Sequence, residues 1–218
     1  MKAVLFDMDG VLVDVSQSYR QAIVETVETF SGIKIPPAAI EQYKSRGGLN
    51  NDWDLTGAIL KDQGISAAKQ EIIAVFQQFY SGKNFDGLIR HESWMFPEQE
   101  LQRICKTYKT GIVTGRPREE AHYTLKRFGK DHFFPVVITM DDLPPGKGKP
   151  DPAGLLLAME RLQGGGGWYI GDTIDDEVAA RGAGLVPIII NKSFEINKSF
   201  LGVQGAIFQK SPLVAEGK

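Results

Sequence analysis

The chain has one cysteine, Cys105, in 218 residues, so no disulfide forms within it and a packed core has to supply the stability. It has no surplus of positive charge. Lys and Arg number 25 against 27 Asp and Glu, a formal net charge of -2, which argues against the basic face that meets a nucleic-acid backbone. Its three histidines are scattered, so no Cys/His cluster offers a zinc site. No glycine-rich loop precedes a Lys-Ser/Thr pair, which removes the P-loop. No apolar run approaches the roughly 18 residues of a membrane span. The first residues lack the basic-then-apolar layout of a signal peptide, and Asp7 and Asp9 would interrupt one. These absences lead to an expectation of a cytoplasmic protein with no nucleic-acid and no membrane partner. Cys105 lies in a helical pattern and is expected to be a small buried hydrophobe.

The stretch that organises what is there is the start. Residues 3–6, Ala-Val-Leu-Phe, form an apolar run of strand length that ends at Asp7, with Asp9 and Gly10 just beyond. A short, wholly apolar run bounded by a turn signal reads as a buried strand of a parallel sheet. Open α/β sheets bind ligands at the carboxyl ends of their strands, so Asp7 and Asp9 are expected at the mouth of a site. Two neighbouring carboxylates repel unless a cation or a proton lies between them.

From residue 16 to about 86 the pattern is helix and loop throughout. Ser16 is read as the cap of a helix over 17–30, Pro36-Pro37 opens one over 38–45, Asp52 opens one to about 63, and Ser66 caps a fourth. An alternation of strands and helices then follows. Strands are expected at 110–114, 136–138, 168–171 and 186–190, with a further one at 205–208. The glycines at 164–167 read as a flexible helix-to-strand connection. The order implies a parallel sheet covered on both faces, with a helical insertion of about 70 residues after the first strand.

Parallel strands bring their ends to one edge. Here that edge gathers Asp7 and Asp9, Thr114, Lys149, and Asp172 with Asp176: a carboxylate cluster, a hydroxyl and an ammonium. Oxygen-only ligation of this kind suits Mg²⁺, and the lysine and hydroxyl suit the remaining oxygens of a phosphate.

Four segments in order now carry a resemblance. They are Asp7-Met8-Asp9-Gly10-Val11, Thr114 within Val-Thr-Gly-Arg-Pro, Lys149-Pro150-Asp151-Pro152, and Asp172-Thr173-Ile174-Asp175-Asp176. Together they resemble the haloacid dehalogenase superfamily, in the branch with a helical cap after the first strand, close to its phosphoglycolate phosphatase-like members. The resemblance implies a three-layer, Rossmann-like α/β/α core of residues 1–15 and 87–218 with a cap of 16–86. It implies that Asp7 is a nucleophile that becomes phosphorylated and that Asp9 is the general acid/base. Mg²⁺ would be held by Asp7, the main-chain carbonyl of Asp9 and Asp172, with Asp176 in support. Thr114 and Lys149 would hold the phosphoryl oxygens. Lys149 is preferred to Lys147 through this resemblance alone, and Asp176 to Asp175 by its spacing from Asp172.

For the substrate, a small phosphorylated metabolite, Gly115 and Arg116 beside Thr114 and the loop residues Arg46, Asn50 and Asn51 are the candidate contacts. For Arg116 a salt bridge to a nearby acid is the competing reading. Trp53 is expected to pack between helices, Asp14 and Asp151 to serve turns or caps, and Asp141-Asp142 to be solvated loop. The Asn-Asn-Asp-Trp loop and the hinge resemble capped phosphatase-like proteins sometimes encoded with histidine-biosynthesis enzymes. The expected activity is Mg²⁺-dependent hydrolysis of a phosphomonoester by a monomer or homodimer. A phosphomutase similar to β-phosphoglucomutase is the nearest rival, and a non-catalytic binder a more distant one.

Overall fold

A computed structural model of the chain describes residues 1–44, 49 and 51–190. From the N-terminus, β1 (Ala3–Phe6) turns into the short β2 (Val13–Asp14). Four helices follow: α1 (Tyr19–Ser31), α2 (Pro37–Lys44), α3 (Asp52–Asp62) and α4 (Lys69–Tyr80). The chain returns through β3 (Ser93–Trp94) and then alternates through α5 (Glu98–Thr107), β4 (Lys109–Val113), α6 (Arg118–Arg127), β5 (Val136–Ile138), α7 (Ala153–Leu162), β6 (Gly167–Gly171), α8 (Ile174–Gly182) and β7 (Val186–Ile189).

The sheet runs β5-β4-β1-β6-β7 with every pairing parallel. Its central strand is uniformly apolar because both faces are covered. Val4 and Phe6 join the core formed with Leu101 and Ile104 of α5 and Leu125 of α6. Ala3 and Leu5 point the other way, into the core with Leu155 and Ala158 of α7 and Ala179 and Ala180 of α8. That alternation along one strand makes the three-layer, Rossmann-like α/β/α arrangement. Phe6 meets Phe96 and Phe134 edge-on at 5.3 and 5.7 Å. A side chain of its kind contributes about 1.5–3 kcal/mol on burial.

After β1 the chain adds β4 and β5 on one side, then crosses back to add β6 and β7 on the other. The reversal opens a crevice at the carboxyl ends of β1, β4 and β6, where such sheets take ligands. Helices α1 to α4 pack on one another between β2 and β3. Among the described residues, no helix is long and apolar enough to cross a membrane.

The structure corrects several local expectations. Helix α1 starts at Tyr19, not after Ser16, whose N–H is instead taken by the Asp14 carboxylate at 2.9 Å. Helix α4 starts at Lys69 without a cap from Ser66; Glu71 accepts the Ala68 N–H at 3.0 Å and does that work. Strands β2 and β3, which pair antiparallel, are two residues each and too short to leave a periodic signal. Gly167 is no free connector. It is the first residue of β6, its φ is +151°, and a Cβ there would lie 1.8 Å from the Ala3 carbonyl oxygen. Cys105 is half-buried rather than a core residue, its thiol 3.6 Å from both Thr110 Oγ1 and the Phe133 carbonyl. Trp53 packs, as expected, against the main core. The strand expected at 205–208 lies outside the described residues.

Candidate active site

Asp7 continues β1 by one residue, its N–H on the Ile170 carbonyl at 2.8 Å, and so stands beside the end of β6. Lys149 arrives from the loop before α7. Its ammonium lies 2.9 Å from Asp7 Oδ1 and 2.6 Å from Asp176 Oδ1, and it donates to the Tyr169 hydroxyl at 2.9 Å. Burial pulls this ammonium down, but Asp176 and Asp7 outweigh it, and its pKa lies well above the usual lysine value. Lys149 is therefore cationic at any ordinary pH. Lys147 is exposed and paired with Asp151, so Lys149 is the lysine that meets Asp7.

Asp176 is held from every side. Besides Lys149 it accepts from Tyr169 at 3.0 Å, from the N–H groups of Asp172 and Thr173 at 3.1 and 3.0 Å, and from the Thr173 hydroxyl at 2.7 Å. Thr173 in turn caps α8 by accepting the Asp176 N–H. Burial alone would raise the Asp176 carboxyl; Lys149 and Thr173 bring it below the usual carboxylate value. Asp172 completes the group. Carboxylate oxygens of Asp7, Asp172 and Asp176 lie within 4.8 Å of one another. Gly10, with φ +76°, lets Asp172 close over the turn after β1, since a Cβ there would fall 2.1 Å from Asp172 Oδ2.

This floor fits a divalent cation. Burial pushes the Asp7 carboxyl well above its usual value, and Asp176, Asp9 and Asp172 push it further, against the pull of Lys149. Three carboxylates converge here and the donors are all oxygen. Asp7, Asp172 and Asp176 are the residues that could hold such an ion. The hydrogen bonds of Asp176 also hold Lys149 and the start of α8 in place.

A second charged group faces the first. Arg116, two residues past Thr114, turns inward and is only 1% exposed. Its Nε donates to Asp9 Oδ1 at 2.8 Å, and Nη2 donates to the same oxygen. The other side of the guanidinium meets Glu92, with Nη1 on Oε2 at 3.2 Å and Nη2 on Oε1 at 2.9 Å, while Nη1 also reaches Thr124 Oγ1 at 2.8 Å. Glu92 further accepts from Ser18, Tyr80 and Thr124 at 3.2, 2.9 and 3.1 Å. Beside this group, Tyr19 stacks on Tyr80 and donates to Glu120, which also accepts from Gln77 at 2.7 Å. The salt-bridge reading of Arg116 is the one found: it does not line the cavity and is not placed to contact substrate.

The family model for haloacid dehalogenase-like hydrolases matches residues 1–184. The chain belongs to the haloacid dehalogenase-like hydrolases. It is 38% identical over 195 residues to an imidazoleglycerol-phosphate dehydratase of Phytophthora nicotianae, covering 85% of this chain but only 42% of that longer protein. It is 28% identical over 187 residues to pyrophosphatase PpaX of Bacillus cereus, covering 84% of this chain and 80% of the relative. Among solved structures, phosphatase Tt82 from Thermococcus thioreducens superposes with a TM-score of 0.69 at 25% identity, covering 94% of this chain and 98% of that one.

In this hydrolase a cavity of about 360 Å³ opens over Asp7, Asp9 and Lys149. Asp7, Asp9, Lys149 and Asp172 line its lower part, and Gly115 contributes backbone. Thr114 is buried directly beneath, its hydroxyl accepting the Arg116 N–H at 3.2 Å. The upper wall comes from the helical insertion as two ion pairs, Arg20 with Glu41 at 2.7 Å and Lys44 with Asp52 at 2.9 Å. Sequence reasoning missed all four, because charged residues on helices ordinarily read as solvated faces. Asn51 is not among the cavity's residues. It caps α3, Oδ1 accepting the N–H groups of Trp53 and Asp54 at 3.0 and 3.1 Å. Arg46 and Asn50 lie outside the described residues. Asp142 is not solvated loop: it accepts from the Thr139 N–H and hydroxyl and pairs with Arg118 and Arg161. Burial opposes these contacts, but they hold its carboxyl down at about 2. Asp141 caps α6 at the Arg118 N–H.

Proposed function

We propose that this hydrolase is a Mg²⁺-dependent phosphatase acting on a small phosphomonoester through a phosphorylated Asp7. The observation that carries the reading is Lys149, a buried ammonium set between Asp7 and Asp176 with Asp172 beside them. In this reading residues 16–86 form a cap over a core of 1–15 and 87–218, and the protein works in the cytoplasm as a monomer or homodimer.

Asp7 attacks phosphorus with one carboxylate oxygen, and the ester P–O bond breaks. Asp9 gives its proton to the departing oxygen, so the leaving group goes as a neutral alcohol. Asp9, now ionised, takes a proton from water; the resulting hydroxide adds to phosphorus, and the bond to Asp7 breaks to give inorganic phosphate. Lys149 and the Thr114 hydroxyl hold the phosphoryl oxygens through both steps. Asp7, Asp172 and the Asp9 main-chain carbonyl would hold Mg²⁺, which when bound would offset the charge between an anionic nucleophile and an anionic ester. Asp176 keeps Lys149 and the start of α8 in place.

The cavity is at the small end of the range for metabolite sites, on the order of 300–1,000 Å³. Its upper wall offers both charges, at Arg20 with Glu41 and Lys44 with Asp52, which suits a polar leaving group able to donate and accept. The test is phosphate release from a panel of phosphorylated metabolites with and without Mg²⁺. The panel includes imidazoleglycerol phosphate and pyrophosphate, after the names of the relatives. Mg²⁺-dependent release supports the proposal. Conversion of a sugar phosphate to its isomer without release replaces it with a phosphomutase, and no turnover of any ester removes it.

A further inference from the structure

We propose that Arg116, held by Glu92, is the positioning residue that fixes the Asp9 carboxylate for proton transfer. The inference rests on the general-acid reading of Asp9 given above.

Both contacts from Arg116 to Asp9 fall on one oxygen, Oδ1. Oδ2 takes no hydrogen bond from the described residues, and the Asp9 side chain is 30% exposed at the cavity. One oxygen is anchored and the other is left for the substrate, which is the geometry a proton donor needs. The anchor itself is rigid. Every guanidinium nitrogen is engaged, on Asp9, Glu92 or Thr124, and its carbon lies 5.0 Å over the Tyr19 ring. The two oxygens of Glu92 take Nη1 at 3.2 Å and Nη2 at 2.9 Å, so the guanidinium is held on the side away from Asp9 as well. A lysine cannot reproduce this, because one ammonium does not fork between two carboxylates. Glu92 is itself tied to Ser18 and to Tyr80 of α4, so the device also links Asp9 to the helical insertion.

The alternative role is a structural brace that never acts through Asp9. The two roles part on the leaving group. Proton donation matters for an alkyl ester and hardly at all for p-nitrophenyl phosphate, whose leaving group departs as a stable anion. The experiment compares Arg116→Lys and Glu92→Gln with the unaltered enzyme on an alkyl phosphomonoester from the panel and on p-nitrophenyl phosphate. It reads the rate of leaving-group release in the first turnover. The expected result is a fall of at least about tenfold on the alkyl ester, a change within about twofold on the aryl ester, and KM unchanged for both. Adding Arg116→Lys to Asp9→Asn should cost nothing more than Asp9→Asn alone. Equal losses on both esters, a rise in KM alone, or losses that multiply in the double variant would overturn the proposal. Thermal unfolding checks each variant, and Thr124→Val carries the same comparison if Arg116→Lys does not fold. If the unaltered enzyme releases nothing from either ester, the phosphatase reading falls and this one with it; an active enzyme with equal losses sinks this one alone.

Discussion

Two charged groups of the molecule solve the same electrostatic problem with different cations. In one, Lys149 lies between Asp7 and Asp176; in the other, Arg116 lies between Asp9 and Glu92. A buried carboxylate is costly without a partner, and in each case one cation serves two. The lysine is a compact point charge, in the proposed function aimed at the phosphoryl oxygens. The arginine is a planar fork that fixes an oxygen in space. On the lysine side a third carboxylate, Asp172, comes within 4.8 Å of Asp7 and Asp176, an all-oxygen donor set suited to a divalent cation. The arginine side has only two carboxylates in direct contact with its cation and holds a side chain in place. Charge is the function of the first group, and geometry that of the second.

That contrast breaks most readily at the nucleophile. Asp7→Asn should lower phosphate release by at least about 10³-fold, since no other carboxylate is placed to attack, with unfolding by urea little changed. Residual turnover near the unaltered rate would remove Asp7 from its role. Next comes the cation. Lys149→Met leaves Asp7 and Asp176 facing each other unpaired, and should cost about 3 kcal/mol in urea unfolding without metal. A loss below about 1 kcal/mol would mean that the pairing contributes little.

Magnesium sharpens the comparison from the other direction. At about 100 times its dissociation constant it should stabilise the protein by about 2.7 kcal/mol, read as a rise in Tm. Asp172→Asn should abolish the rise and Arg116→Lys should leave it intact. A rise that survives Asp172→Asn would place the ion elsewhere.

A pH-dependent effect of similar size concerns Glu120, beside the arginine group. Burial pushes its carboxyl up to about 7, against the pull of Tyr19, Arg116 and Gln77. The folded protein therefore holds a proton there that the unfolded chain, titrating near 4.5, has lost. The stability tied to this group is full below pH 4.5 and falls as pH rises to about 7, by about 3 kcal/mol. Glu120→Gln should flatten that fall when unfolding is followed from pH 5 to 8. Parallel curves for the two proteins would contradict it.

The lysine group was legible in the sequence because strand ends announce it. Asp7 and Asp172 each follow an apolar strand, Asp176 opens a helix, and parallel order brings all three to one edge with Lys149. The arginine group was not. Glu92 sits between a single helical turn and a two-residue strand, where no period marks it, and Glu120 lies on a helix whose charged positions read as solvent-facing. Arg116 was visible as a residue, but only the fold shows that it turns inward. Asn51 misled for a related reason: the same side chain that can contact a ligand is also a strong helix cap, and before the apolar face of α3 the cap prevails. The three-layer core and most helix bounds followed from periodicity, whereas the β2–β3 pair did not, being too short to repeat.

The account turns on Asp7 carrying the phosphoryl group. Quenching the enzyme in acid during turnover, then digesting it and weighing its peptides, reads this directly. The peptide containing Asp7 should gain the mass of one phosphoryl group, more so in Asp9→Asn, where the second step is slowed, and not at all in Asp7→Asn. Turnover with that peptide unmodified throughout, or the added mass on a peptide lacking Asp7, would contradict it.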